Sequence, residues 1–239
     1  TDADGRADEY LTHAKDWGVT GNYHEYAYGP TVDGAGNLWV ALNCSIGKGS
    51  NPNNQWRGWS LRVKPDGSWE PISGGFRSPS GIGTNLAGDV FATDQQGNWF
   101  PTCPLMHVKR GAFHGHADSL QFTSRPEATF KVNLPLPKNL TVAEAAKLIP
   151  AYQLPAVWFP YRKMGMSTTD ILADSTKGKF GPFAGQLFCG EFTMSFVSRV
   201  FLEKVDGEYQ GACFRFCEGL DCAALRLQWG ANGSMYIGQ

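Results

Sequence analysis

The chain has 239 residues, 42% hydrophobic and 13% aromatic, with 29 glycines and a formal net charge of −1. A balance this close to neutral gives no electrostatic basis for binding nucleic acid or an anionic membrane, and no apolar run of the roughly 18 residues needed to span a bilayer is present. The glycine and aromatic content suits turn-rich all-β structure better than helix.

In chain order, residues 1–22 form a polar, turn-like lead-in. Asp2, Asp4 and Asp8 place hard oxygen ligands at the alternate spacing of a calcium loop, reading as the tail of a D-x-D-x-D-G-x-x-D motif, and Glu9 to Lys15 suits a short helix. From Gly36 a phrase begins that returns along the chain. Gly36-Asn37-Leu38-Trp39-Val40, Gly88-Asp89-Val90-Phe91-Ala92, Gly185-Gln186-Leu187-Phe188-Cys189 and Gly233-Ser234-Met235-Tyr236-Ile237 each read as a tight turn followed by a buried strand. The first and last intervals between these glycines are nearly equal, and the middle one is about twice as long. Units of roughly 40–50 residues built from strands are the signature of a β-propeller, each blade one four-stranded sheet. Asp66-Gly67 and Asp206-Gly207, each between alternating runs, add two hairpins. The competing reading is a β-sandwich with chance spacing.

Divided by that period, the chain holds about four to five blade-equivalents. It starts inside a motif and stops on a blade strand, as a piece of a longer protein would. Residues 113–180 break the rhythm as a loop-like insertion, with Thr141 and Glu144 as a capping box opening a short helix to Leu148 that Pro150 stops. No domain boundary interrupts residues 1–239.

Two residues hold matching places in the repeat: His24 precedes Gly36 by almost the same interval as Arg77 precedes Gly88. They are expected at equivalent positions on adjacent blades, facing one axis, where a neutral imidazole serves as general base and a guanidinium offers a fork of donors to an anion. A histidine that only bonds a neighbouring loop is the plainer alternative. Asp94 follows a blade strand at its channel end, and Asn43 stands after the first repeated strand. His114-x-His116 reads as a metal pair or as loop packing, and Tyr161-Arg162-Lys163 as a cationic or merely solvated loop. The six cysteines allow buried thiols, one Cys217–Cys222 disulfide or a metal, although Cys213-x3-Cys217-x4-Cys222 is not a zinc spacing.

Gly75-Phe76-Arg77-Ser78-Pro79-Ser80-Gly81 resembles the G-x-R-N-P-x-G phrase of the glucose/sorbosone dehydrogenase family of quinoprotein propellers. Asp94-Gln95-Gln96-Gly97 through His116 resembles that family's next stretch, and His24 matches its catalytic histidine. The likeness is nearest to the propellers of large secreted bacterial proteins joined to a c-type haem domain. The resemblance implies a six-bladed propeller, periplasmic or secreted, that binds pyrroloquinoline quinone (PQQ) and Ca2+ and oxidises a sugar or alcohol. It makes His24 the base and Arg77 a catalytic and quinone contact, with Ser78, Asp94 and Asn43 beside it. Ser78 stands where the family has Asn. The family's downstream cations have no counterpart in Phe192-Thr193-Met194-Ser195 or Glu218-Gly219-Leu220-Asp221. A non-catalytic binding module and a calcium-dependent lactonase-like hydrolase are the other readings.

Overall fold

The four glycines of the repeated phrase all adopt positive φ, 81°, 86°, 78° and 86°, a conformation open to glycine at little cost. Each leads into the second strand of a sheet. The computed structural model describes residues 4–18, 21–44, 55–97, 100–133, 135–136 and 138–239. The first sheet runs in sequence order through β1 (Ala27–Val32), β2 (Leu38–Leu42), β3 (Trp59–Val63) and β4 (Trp69–Gly74). The second repeats that order with β5 (Gly81–Thr84), β6 (Val90–Thr93), β7 (Cys103–His107) and β8 (Val157–Phe159). The third comprises β9 (Thr168–Ala173), β10 (Leu187–Glu191), β11 (Phe196–Val205) and β12 (Glu208–Cys217), and β13 (Arg226–Trp229) pairs with β14 (Met235–Gly238). Every pairing between these strands is antiparallel. Successive meanders of this kind are propeller blades.

Both Asp-Gly hairpins form. Asp206 and Gly207 take φ of 50° and 85°, the paired positive values that let a two-residue turn follow the twist of long strands. Chain length divided by the period counts four to five blade-equivalents; among the described residues three complete blades and two strands of a fourth are formed. The difference arises because residues 108–156 leave blade 2 between β7 and β8, while β8 and β9 both fall within the 113–180 stretch. Helix α1 (Val142–Leu148) has its capping box, with Thr141 and Glu144 satisfying one another's backbone N–H groups. The helix expected at Glu9 to Lys15 is absent. So short a segment makes too few internal bonds to hold a helix alone; it lies along blade 1, where Trp69 Nε1 donates to Lys15 O at 2.7 Å.

The core sits between blades. Trp59 of β3 stacks on Phe130 of the inserted segment at 4.8 Å and donates through Nε1 to Ser119 O, so the insertion seals the outer side of blade 1. Phe91, Leu105 and Phe159 of blade 2 meet Ile171, Leu187 and Val200 of blade 3. Phe188 and Val197 then meet Leu227 and Trp229. All six cysteines are unpaired thiols, with Cys44, Cys103 and Cys189 buried. The first strands β1, β5, β9 and β13 lie side by side in that order around the channel. Approach is close enough that a Cβ on Gly81 would stand 2.1 Å from Thr169 O.

Candidate active site at the propeller rim and channel

His24 precedes β1 and Arg77 precedes β5, so both stand where the chain enters a blade's first strand. The His24 turn is short: Glu25 N donates to Asn22 O at 3.0 Å and His24 N to Asn22 Oδ1 at 2.9 Å. The imidazole is half-buried and lies against Tyr23, ring centroids 3.9 Å apart. Beneath it, buried Arg57 donates to Glu25 O, Tyr26 O and Gly18 O.

Asn43, Arg77, Ser78 and Asp94 are brought together. Asn43 Nδ2 donates to Ser78 Oγ at 3.2 Å, tying the end of β2 to the entrance of β5. The Asp94 carboxylate accepts Arg77 N and Ser78 N at 2.8 Å each and Gln95 N at 2.7 Å. Asp94 is fully buried, and burial pushes its carboxyl up to about 6 against the pull of those amides and of Arg77. It therefore acts through the backbone, holding Arg77 and Ser78 in place. The Arg77 side chain runs along Gly97, where a Cβ would come within 2.7 Å of Nε. His24 stands on the same rim, but among the described residues its ring makes no hydrogen bond to this group.

Other expected groupings separate. His114 Nε2 pairs with Ser73 Oγ at 3.2 Å, whereas His116 Nδ1 faces Cys44 Sγ at 3.8 Å, so the two histidines do not converge. Their protonation is disfavoured by burial, which takes His114 down to about 3 and also lowers His116. Asp4 and Asp8 lie in the exposed lead-in, where Asp4 Oδ1 accepts Arg6 N, and Asp2 lies outside the described residues. Among the described residues no three His, Cys, Asp or Glu side chains gather as a metal site. Lys163 O accepts Arg215 Nε and Nη2, and Arg162 packs over Tyr161.

Two features were not anticipated from sequence. Glu191 repeats the device of Asp94 on blade 3, accepting Met166 N, Ser167 N and Met194 N. A signal for it exists: Glu191 follows Gly185 at the same interval as Asp94 follows Gly88. The second is a channel cavity of about 370 Å3 where β1, β5, β9 and β13 meet, with Asp170 and Arg226 in its wall. These two are remote in sequence, and only the adjacency of β9 and β13 unites them.

Fold and site thus define a β-propeller with a polar rim around an open channel cavity. Solved structures share this fold. A glucose dehydrogenase superposes over 99% of this chain and 67% of its own length, with 16% identity and a TM-score of 0.66. A Thermus thermophilus oxidoreductase described as a glucose dehydrogenase matches over 86% of this chain and 56% of its own, at 17% identity and TM-score 0.55. The holo PQQ domain of pyranose dehydrogenase from Coprinopsis cinerea matches over 89% and 66%, at 13% identity and TM-score 0.53. The chain spans about two thirds or less of the length of these structures. No family model and no curated protein matches it.

Proposed function

We propose that the chain carries the chemistry of a PQQ-dependent sugar or alcohol dehydrogenase. The observation that carries this reading is the placing of His24 and Arg77 at the entrances of adjacent inner strands. Those blades are bonded through Asn43 and Ser78 on the rim of the channel. The residues suit such a cofactor in two respects. Asn43 Oδ1 is a buried acceptor without a partner among the described residues, open to a heterocyclic N–H, and Arg77 offers a guanidinium to a carboxylate or quinone oxygen. Bound there, the quinone would supply the hydride acceptor.

The protein's own part is to hold and remove a proton. His24 takes the proton of the substrate hydroxyl while Arg77, fixed through Asp94, orients the anionic partner. Asp2, Asp4 and Asp8 would hold calcium in this reading, supplying hard carboxylate oxygens. A reduced quinone must pass electrons on, which suits a c-type haem domain as partner and a periplasmic or secreted setting; no helix among the described residues is long and apolar enough to cross a membrane. A non-catalytic binding module calls for a channel filled by side chains, whereas a cavity opens where β1, β5, β9 and β13 meet.

The test is titration of PQQ with Ca2+ followed by tryptophan quenching, with dye reduction on a panel of sugars and alcohols. Saturable binding, with reduction abolished in His24→Ala while binding persists, is expected. Absence of binding at tens of micromolar PQQ overturns the proposal.

A further inference from the structure

The channel cavity holds two opposite charges that do not meet. The Asp170 carboxylate is fixed from one side by Leu227 N–H at 2.9 Å. Arg226 is fixed from another: its Nη1 donates to Leu225 O at 2.9 Å and Ser80 O at 3.3 Å, and its guanidinium lies 5.4 Å from the Tyr28 ring centroid. Both line the same void and attract each other, yet among the described residues no ion pair joins them. Backbone bonds hold the pair open. Arg226 is an exposed residue whose Nη2 and Nε have no protein acceptor among the described residues, and Thr31 and Gln228 also line the void.

An open charge pair is completed by a molecule that is an oxyanion at one end and a donor at the other. At about 370 Å3, the cavity lies at the small end of the range of roughly 300–1,000 Å3 for ligand pockets. We propose that it binds a small carboxylate bearing a hydroxyl or ammonium group, with the carboxylate on Arg226 and the donor on Asp170. Burial holds the Asp170 carboxyl above its usual value, as expected of a charge whose compensation is incomplete. The site uses none of His24, Arg77 or Asp94, and needs no quinone.

Calorimetric titration of the full chain, without PQQ or calcium, tests this. D-gluconate probes the hydroxyl version and β-alanine the ammonium version; acetate and sorbitol carry only half of the recognition each. At least one of the first two should saturate with Kd below about 10 mM, in the weak range suited to a few polar contacts. Acetate and sorbitol should bind roughly tenfold more weakly or worse. Arg226→Gln and Asp170→Asn should each weaken binding by about tenfold or more, the lower end of the loss of one charge-assisted hydrogen bond. Asp170→Asn keeps an acceptor for Leu227 N–H, so a loss there at unchanged melting temperature decides the matter even where Arg226→Gln unsettles β13. The proposal is overturned if neither probe saturates, if acetate binds as well as the better probe, or if Asp170→Asn binds like wild type. Dye reduction reports separately on the rim, so either reading can fail alone.

Discussion

Arg57 is the residue on which the His24 turn rests, and replacing it with lysine isolates that role. Arg57 is 2% exposed, yet its Nη1 donates to Glu25 O at 2.9 Å and Tyr26 O at 3.0 Å and its Nη2 to Gly18 O at 2.8 Å, while buried Nε has no partner among the described residues. Burial drives its pKa down from the usual value, so the charge is retained at a cost that those three bonds offset. A lysine keeps the charge but presents a single nitrogen, which cannot serve acceptors spread across a planar fork. At least one bond is lost, and two if the ammonium settles on the lead-in side. At roughly 1.5–3 kcal/mol per charge-assisted bond, Arg57→Lys should lower unfolding free energy by about 1.5–6 kcal/mol. That corresponds to a melting temperature roughly 3–24 °C lower for a chain of this size. Urea denaturation read by tryptophan fluorescence measures it directly. An unfolding free energy within about 0.5 kcal/mol of wild type would refute the argument, since the three carbonyls would then have another source of donors.

Asp94 supplies a pH test. Its carboxyl stands at about 6 when folded against an ordinary 3.8, so the folded state holds its proton more tightly. Stability from that proton is fully present below the ordinary value and is lost as pH rises through about 6, roughly 3 kcal/mol in all. Subtracting Asp94→Asn should expose this fall between about pH 4 and 7, and parallel profiles for the two proteins would count against it. Buried His114, at about 3, has the opposite sign: it must stay neutral, so stability present above its ordinary value drains away as pH falls. The slope approaches about 1.4 kcal/mol per pH unit, and His114→Gln should flatten it in acid-unfolding measurements. Gly81→Ala puts a Cβ 2.1 Å from Thr169 O between blades 2 and 3, and should cost about 1–3 kcal/mol in chemical denaturation by overpacking. A neutral result would mean the inner strands can part freely.

What is legible in the sequence is what is local. A glycine at positive φ followed by alternating apolar residues needs no partner to be recognised, so Gly36, Gly88, Gly185 and Gly233 are enough to place β2, β6, β10 and β14. The Thr141 capping box is legible for the same reason. Strand β8 is not. Val157-Trp158-Phe159 has no turn signal of its own, and becomes a strand only because β7 offers Cys103 to Leu105 as a template across the inserted segment. At the rim, repeat register singles out His24 and Arg77 from near-equal offsets, and the same register holds Glu191, whose place is evident only once Asp94 is seen binding amides. Asp170 and Arg226 carry no such offset signal, since what joins them is the closeness of β9 and β13.

Asp94 and Glu191 together change what the rim can offer a ligand. Each is an acid at the end of a blade's second strand, and each accepts backbone amides from the segment entering that blade's first strand. Both oxygens of each carboxylate are engaged: Asp94 Oδ1 and Oδ2 by three amides, Glu191 Oε1 and Oε2 by three more. A cation drawn to either would have to displace main-chain donors that shape the loops, and leaving such donors buried and unpaired costs about 1–3 kcal/mol each. Asp94 and Glu191 are thus positioning groups, and among the described residues the Arg77 guanidinium, Asn43 Oδ1 and the His24 imidazole are groups open to a bound molecule. That set suits an anionic or neutral ligand and not a bare cation. Asp170, the one carboxylate lining the cavity among the described residues, belongs to β9 within the channel. Donor-rich rim and acid-bearing channel therefore make distinct demands, the rim for a group with oxyanions and the channel for one that carries a donor as well.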